Sequence, residues 1–125
     1  MIIKLKIKGK EFLVKLANTP IVRRIGCNDR EFLQSNEGVL LSFEKPDNYW
    51  IWMKNMKFPI DILWIYNNKI VEIKENVMPD NNLIKYFPSK KADGILEIFQ
   101  GTCKKIGIRL GDIISFVNEN SKTKN

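Results

Sequence analysis

The stretch Ile60-Asp61-Ile62-Leu63-Trp64-Ile65-Tyr66-Asn67-Asn68-Lys69-Ile70-Val71-Glu72-Ile73-Lys74-Glu75-Asn76-Val77 decides the fold class. Two runs rich in β-branched and aromatic residues flank Asn67-Asn68, a pair that tolerates the positive φ angles of a two-residue hairpin turn. Ile60 to Tyr66 and Ile70 to Val77 are therefore expected to be paired strands.

Working toward the N-terminus, Tyr49 to Lys54 reads as another strand, and Gly38 to Phe43 as a buried one ended by Lys45-Pro46-Asp47-Asn48. Asn28 to Asn36 is a polar connection. Asn18-Thr19-Pro20 supplies a cap and a first-turn proline, and Gly26 a stop, so Pro20 to Ile25 is expected to be a short helix. Arg23 and Arg24 then sit near its C-terminal end, where they suit the helix dipole. Ile3, Leu5 and Ile7 alternate with lysines and are followed by Gly9-Lys10 and the alternating segment Glu11 to Ala17, which reads as a β-hairpin.

Toward the C-terminus, Met78 to Asp93 is a loop of ~15 residues, long enough to suspect a functional flap. Gly94 to Phe99 is a short strand, Gly101 to Ile106 a helical turn closed by Gly107, and Asp112 to Val117 a last strand. The pattern is mostly β with two short helices (α+β): a compact, mostly antiparallel β-barrel-like single domain over residues 1–117, followed by a flexible polar tail at 118–125. The alternative is a two-layer α+β sheet with both helices on one face.

At 125 residues the chain fits one domain and buries on the order of two-thirds of its unfolded surface. The 21 Lys and Arg against 14 Asp and Glu give a formal charge of +7, which brings an anionic partner to mind. Much of that charge, however, alternates along the first strand as Lys4, Lys6 and Lys8, a pattern typical of a solvated or edge-protecting face. No histidine is present, and Cys27 and Cys103 lie far apart with no CxxC pair. This excludes a zinc site of ordinary ligand set within one chain, as well as histidine-based triads; no cofactor is implied. The two thiols are expected to be free and buried. No apolar run approaches the ~20 residues needed to span a bilayer, and the chain is expected in the cytoplasm.

The chemistry concentrates in Trp50-Ile51-Trp52-Met53-Lys54-Asn55 with Pro59 and Asp61. If Asn55 to Ile60 joins two antiparallel strands, Lys54 opposes Asp61 and Trp52 opposes Leu63, placing a Lys–Asp pair at the mouth of an aromatic surface. Such a pair is either a hairpin-end ion pair worth ~0.2–1 kcal/mol or the rim of a cleft formed with Trp52 and Asn55. Glu75 and Glu97 interrupt apolar stripes of period two, so each needs a partner or solvent; Arg109 is the nearest cation in sequence to Glu97. Glu97, Arg109 and Asp112 are read as structural polar residues.

These pieces carry a family resemblance. Ala17-Asn18-Thr19-Pro20 with Arg24-Ile25-Gly26, Glu37 to Phe43, Trp52-Met53-Lys54-Asn55 with Pro59-Ile60-Asp61-Ile62, and Glu75-Asn76-Val77 come in order. Tyr86-Phe87-Pro88-Ser89, Leu96-Glu97, Gly101, Gly107-Ile108 and Gly111-Asp112 complete the series. Over roughly residues 12 to 117, the chain resembles the family catalogued as domain of unknown function 192, small uncharacterised bacterial and archaeal proteins. The resemblance implies a β-rich, barrel-like domain and no known reaction. It directs attention to Lys54, Asn55, Asp61, Glu75, Tyr86, Ser89 and Glu97. The resemblance implies, for many relatives, an N-terminal secretion or anchor segment and often a cysteine where this chain reads Asp80-Asn81-Asn82-Leu83-Ile84; an exported role is accordingly not expected here, nor a redox or disulfide function for that loop.

The preferred functional reading is a domain that binds a small polar or sugar-like ligand in a cleft of Trp52, Lys54, Asn55, Asp61, Glu75, Tyr86 and Ser89. One alternative is a histidine-independent hydrolase or lyase using Lys54 with Asp61 or Glu75. Another is single-stranded nucleic-acid binding through the basic surface. No oligomeric state follows from the sequence.

Overall fold

The computed structural model describes residues 1–117, so the tail expected at 118–125 lies outside the described residues. The strands are β1 (Ile2–Ile7), β2 (Lys10–Ala17), β3 (Glu37–Asp47), β4 (Ile60–Tyr66), β5 (Lys69–Val77), β6 (Ala92–Phe99) and β7 (Ser115–Phe116). Helix α1 spans Pro20–Ile25 and α2 spans Thr102–Ile106. All seven strands form one curled, half-barrel sheet in the order β5-β4-β6-β3-β2-β1-β7.

Local chemistry accounts for the joints. Lys8 and Gly9 between β1 and β2, and Asn67 and Asn68 between β4 and β5, all have positive φ, as tight hairpin turns require. Thr19 accepts the Val22 N–H at 3.3 Å, and Pro20 opens α1. The α1 connection carries the chain from β2 to the parallel β3, whereas every other strand pairing is antiparallel.

Both faces of the sheet are buried, and alternation sorts the strand residues between them. Leu40, Leu63, Ile65, Leu96 and Ile98 join Leu5, Phe12 and Val14 in one core, which α2 closes through Cys103. Val39, Leu41, Ile60, Ile62, Trp64 and Ile95 join the other, which is covered by Cys27, Leu33, Ile51, Met53 and Met56 from irregular segments. The half-barrel is drawn together where Ile70 and Asn68 exchange backbone bonds with Gly111, Asp112 and Ile114, the segment that leads into β7.

Two expectations are corrected. Tyr49 to Lys54 is not a strand, since β4 is already flanked by β5 and β6 and offers no free edge. The segment instead crosses the sheet face, held by the Trp64 indole N–H donating to the Tyr49 carbonyl at 2.9 Å and by an isolated bridge from Ile51 to Tyr86. The last strand contracts to Ser115–Phe116, because the preceding residues bond to β5 rather than to β1.

Candidate binding site

The segment laid across the sheet leaves a cavity of about 500 Å³ between itself, α1 and the face of β3 and β6. Its lining includes Arg23, Arg24 and Gly26 from α1 and its C-cap, Asn28, Phe43 and Asp47, then Tyr49, Trp50 and Trp52, with Glu97 at the base. The aromatic side is ordered by its own contacts. Phe43 and Tyr49 stack with centroids 3.6 Å apart, and Trp50 meets Trp52 edge to face at 5.1 Å. Arg23 lies 4.7 Å over the Phe43 ring while donating to the Ser42 carbonyl at 2.9 Å. Lys54 and Lys85 lie over the rings of Trp52 and Trp50 at 5.5 and 4.8 Å.

Glu97 is the unusual group. It sits in β6 between Ile62 of β4 and Val39 of β3, is 5% exposed, and its Oε1 has no hydrogen-bond partner among the described residues. Burial pushes its carboxyl up to about 7, although the thiol and backbone N–H of Cys27 favour the charged form. Burial, then the neighbouring Glu97, pushes the Cys27 thiol up in turn, which makes that cysteine a poor nucleophile. Gly26 has φ +49°, and a Cβ there would stand 3.0 Å from Glu97 Oε1. Only glycine lets this loop close over the carboxyl group without strain.

The structure disperses several residues that the sequence reading gathers into one cleft. Lys54 and Asn55 are exposed, Asn55 with positive φ, and Lys54 does not face Asp61. Asp61 is fully buried in β4 and accepts three backbone N–H groups: Asn76 at 2.9 Å, Gly101 at 3.2 Å and Cys103 at 3.0 Å. It therefore caps α2, which has no side-chain cap of its own, and satisfies the bulge in β5, where Asn76 has φ 53°. Glu75 is exposed beside that bulge.

Tyr86 is half-buried against the core below the crossing segment. Ser89 donates both its hydroxyl, at 2.7 Å, and its N–H, at 3.1 Å, to Glu72, holding that carboxyl below its ordinary range and tying the 78–91 loop to β5. Arg109 is exposed and does not pair with Glu97, which lies on the other face of the sheet; its backbone N–H donates to Asp112, which also meets Lys8 at 3.6 Å. Both cysteines are free and buried. Among the described residues, no group of His, Cys, Asp and Glu is arranged to hold a metal, and no helix is long and apolar enough to cross a membrane.

Of the residues singled out from sequence, Trp52 and Glu97 line the cavity, as do Trp50 and Ile51 from the same run, with Lys54 on its rim. Arg24, Asn28, Phe43 and Asp47 were not among them. Their signal is weak, because they converge only once α1 packs against β3 at Ser42 and Phe43.

The chain is similar to a Sinorhizobium meliloti 1021 protein provisionally called a transcription regulator, with 26% identity, a TM-score of 0.87, and 93% of this chain and 94% of that one covered. It is also similar to a Novosphingobium aromaticivorans DSM 12444 protein of unknown function, with 25% identity, a TM-score of 0.85, and 91% and 84% covered. No curated protein matches it. The pattern of the family described as DUF192, uncharacterized ACR, matches residues 3–116, and the chain belongs to that family.

Proposed function

We propose that the protein is a binding domain whose cavity over Glu97 takes a small polar, sugar-like ligand. The observation that carries this reading is a buried carboxyl oxygen without a partner at the base of an aromatic-walled cavity. A buried polar group left unpaired is costly, and a ligand hydroxyl would remove that cost. Flat ring faces beside a few fixed polar groups suit the alternating apolar and hydroxylated surface of a sugar. The cavity volume falls within the usual range for small-ligand sites.

The enzymatic alternative loses its pairing of Lys54 with Asp61, since Asp61 is committed to three backbone N–H groups. The name given to the Sinorhizobium relative invites a nucleic-acid reading. In this chain, however, Lys6, Lys8 and Lys15 of the first two strands pair with Glu11, Asp112 and Asp29, so these strands offer no continuous row of unopposed cations for a nucleic-acid backbone.

Thermal unfolding across a panel of mono- and disaccharides tests the proposal. A ligand at a hundred times its dissociation constant stabilises by about 2.7 kcal/mol, which raises Tm by several degrees. The Trp52→Ala variant is expected to unfold cooperatively yet lose that rise. If no member of the panel moves the Tm of the parent chain, the reading fails.

A further inference from the structure

The cations around the cavity point to a narrower class of ligand. Arg24 lines the cavity, is exposed, and makes no ion pair or hydrogen bond among the described residues. Arg23, also in the lining, spends one nitrogen on the Ser42 carbonyl and carries no ion pair. Lys54 and Lys85 rest on the two tryptophan rings, again without a carboxylate partner among the described residues. Elsewhere Lys6, Lys8, Lys15, Arg30 and Lys57 are ion-paired, while other exposed cations such as Lys45, Lys90 and Lys104 stand apart from this cavity; what sets these four apart is that they converge on one aromatic wall. Four cations left uncompensated at one aromatic mouth, against Asp47 and the buried Glu97, form a local positive field.

We propose that the ligand is a sugar-sized ring carrying an acidic group, its ring against the tryptophans and its carboxylate or phosphate on Arg24 and Arg23. The planar guanidinium fork matches either anion with two parallel hydrogen bonds, which a lone lysine does not reproduce. Glu97 does not oppose such a ligand strongly: burial raises its carboxyl to about 7, so a large share is uncharged near neutral pH and can donate to a ligand oxygen. The inference rests on the sugar-binding reading above and adds the charge.

Calorimetric titration at low salt with glucose, glucuronate and glucose 6-phosphate tests it, using the parent chain, Arg24→Gln and Arg24→Lys. At least one acidic sugar is expected to bind about tenfold or more tightly than glucose, the scale of one charge-assisted contact. Arg24→Gln should bring the acidic sugar to within about threefold of glucose, and Arg24→Lys should restore only part of the difference. Arg24 is exposed, so these variants leave the core intact. Preference for glucuronate identifies a carboxylate ligand, and preference for glucose 6-phosphate a phosphate ligand. Equal binding of glucose and both acids overturns the acidic-group inference but leaves sugar binding standing, whereas absence of binding by all three removes both.

Discussion

Asp61→Ala is expected to cost about 3–5 kcal/mol of unfolding free energy, the largest effect of any single polar substitution in the chain. The side chain is fully buried, and its two oxygens serve three backbone donors from two separate elements. Alanine would leave the N–H groups of Asn76, Gly101 and Cys103 in a dry interior with no acceptor. Each orphan donor costs ~1–3 kcal/mol, and partial relaxation of the short helix keeps the total below the simple sum. Asp61→Asn retains one acceptor oxygen and is expected to lose less, about 1–2 kcal/mol. Urea unfolding measures both, and hydrogen exchange at the three amides locates the damage. A loss under about 1 kcal/mol for alanine would show that α2 and the β5 bulge hold without this carboxyl group.

Glu97→Gln is expected to act in the opposite direction, stabilising the protein in a pH-dependent way. The folded-state value is raised from 4.5 to about 7, so the native state holds its proton where the unfolded state has released it. For a group raised in this sense, the stability it contributes is fully present below about pH 4.5 and is lost as pH rises through about 7. The interval corresponds to about 3 kcal/mol. Glutamine cannot ionise, so the variant should match the parent chain near pH 4.5 and exceed it by about 1–3 kcal/mol at pH 8. Urea midpoints at the two pH values provide the comparison. A parent chain whose stability from this group stays level between them would mean that Glu97 is charged in the fold and has found a partner.

These two carboxyl groups also show how far the sequence can be read. Glu97 was visible as a polar interruption between Ile95 and Phe99, and its need for a partner followed from period two alone. The partner did not follow, because Gly26 and Cys27 reach it only through the fold around α1, some seventy positions away along the chain. Asp61 was visible differently, as the residue an assumed hairpin sets opposite Lys54. Its role depends on a bulge in β5 and on the start of α2, which lies forty residues on. Neighbours in sequence suggested Lys54 instead.

Local signals fared better. Thr19-Pro20 opens α1, Asn67-Asn68 turns β4 into β5, and alternation delimits most strands, since each is decided by residues within a few positions. The aromatic run from Tyr49 to Trp52 lay outside that reach. Its apolar character was consistent with a strand, and only the saturation of both edges of β4 sends it across the sheet to wall the cavity. The same saturation places Arg23 and Arg24, legible beforehand only as suitable for a helix end, beside the tryptophans.

The three tryptophans offer the most direct test of the cavity as a binding site, since Trp50 and Trp52 line it and Trp64 is buried in the core with its indole N–H on the Tyr49 carbonyl. In an indole ¹H–¹⁵N NMR titration with the tightest-binding sugar, the Trp50 and Trp52 resonances are expected to shift saturably, the Trp64 signal much less. The two shifts should also share one dissociation constant with the calorimetric titration. Saturable binding that leaves Trp50 and Trp52 unmoved, or that shifts backbone amides of β1 and β2 instead, would contradict the account and place the ligand elsewhere.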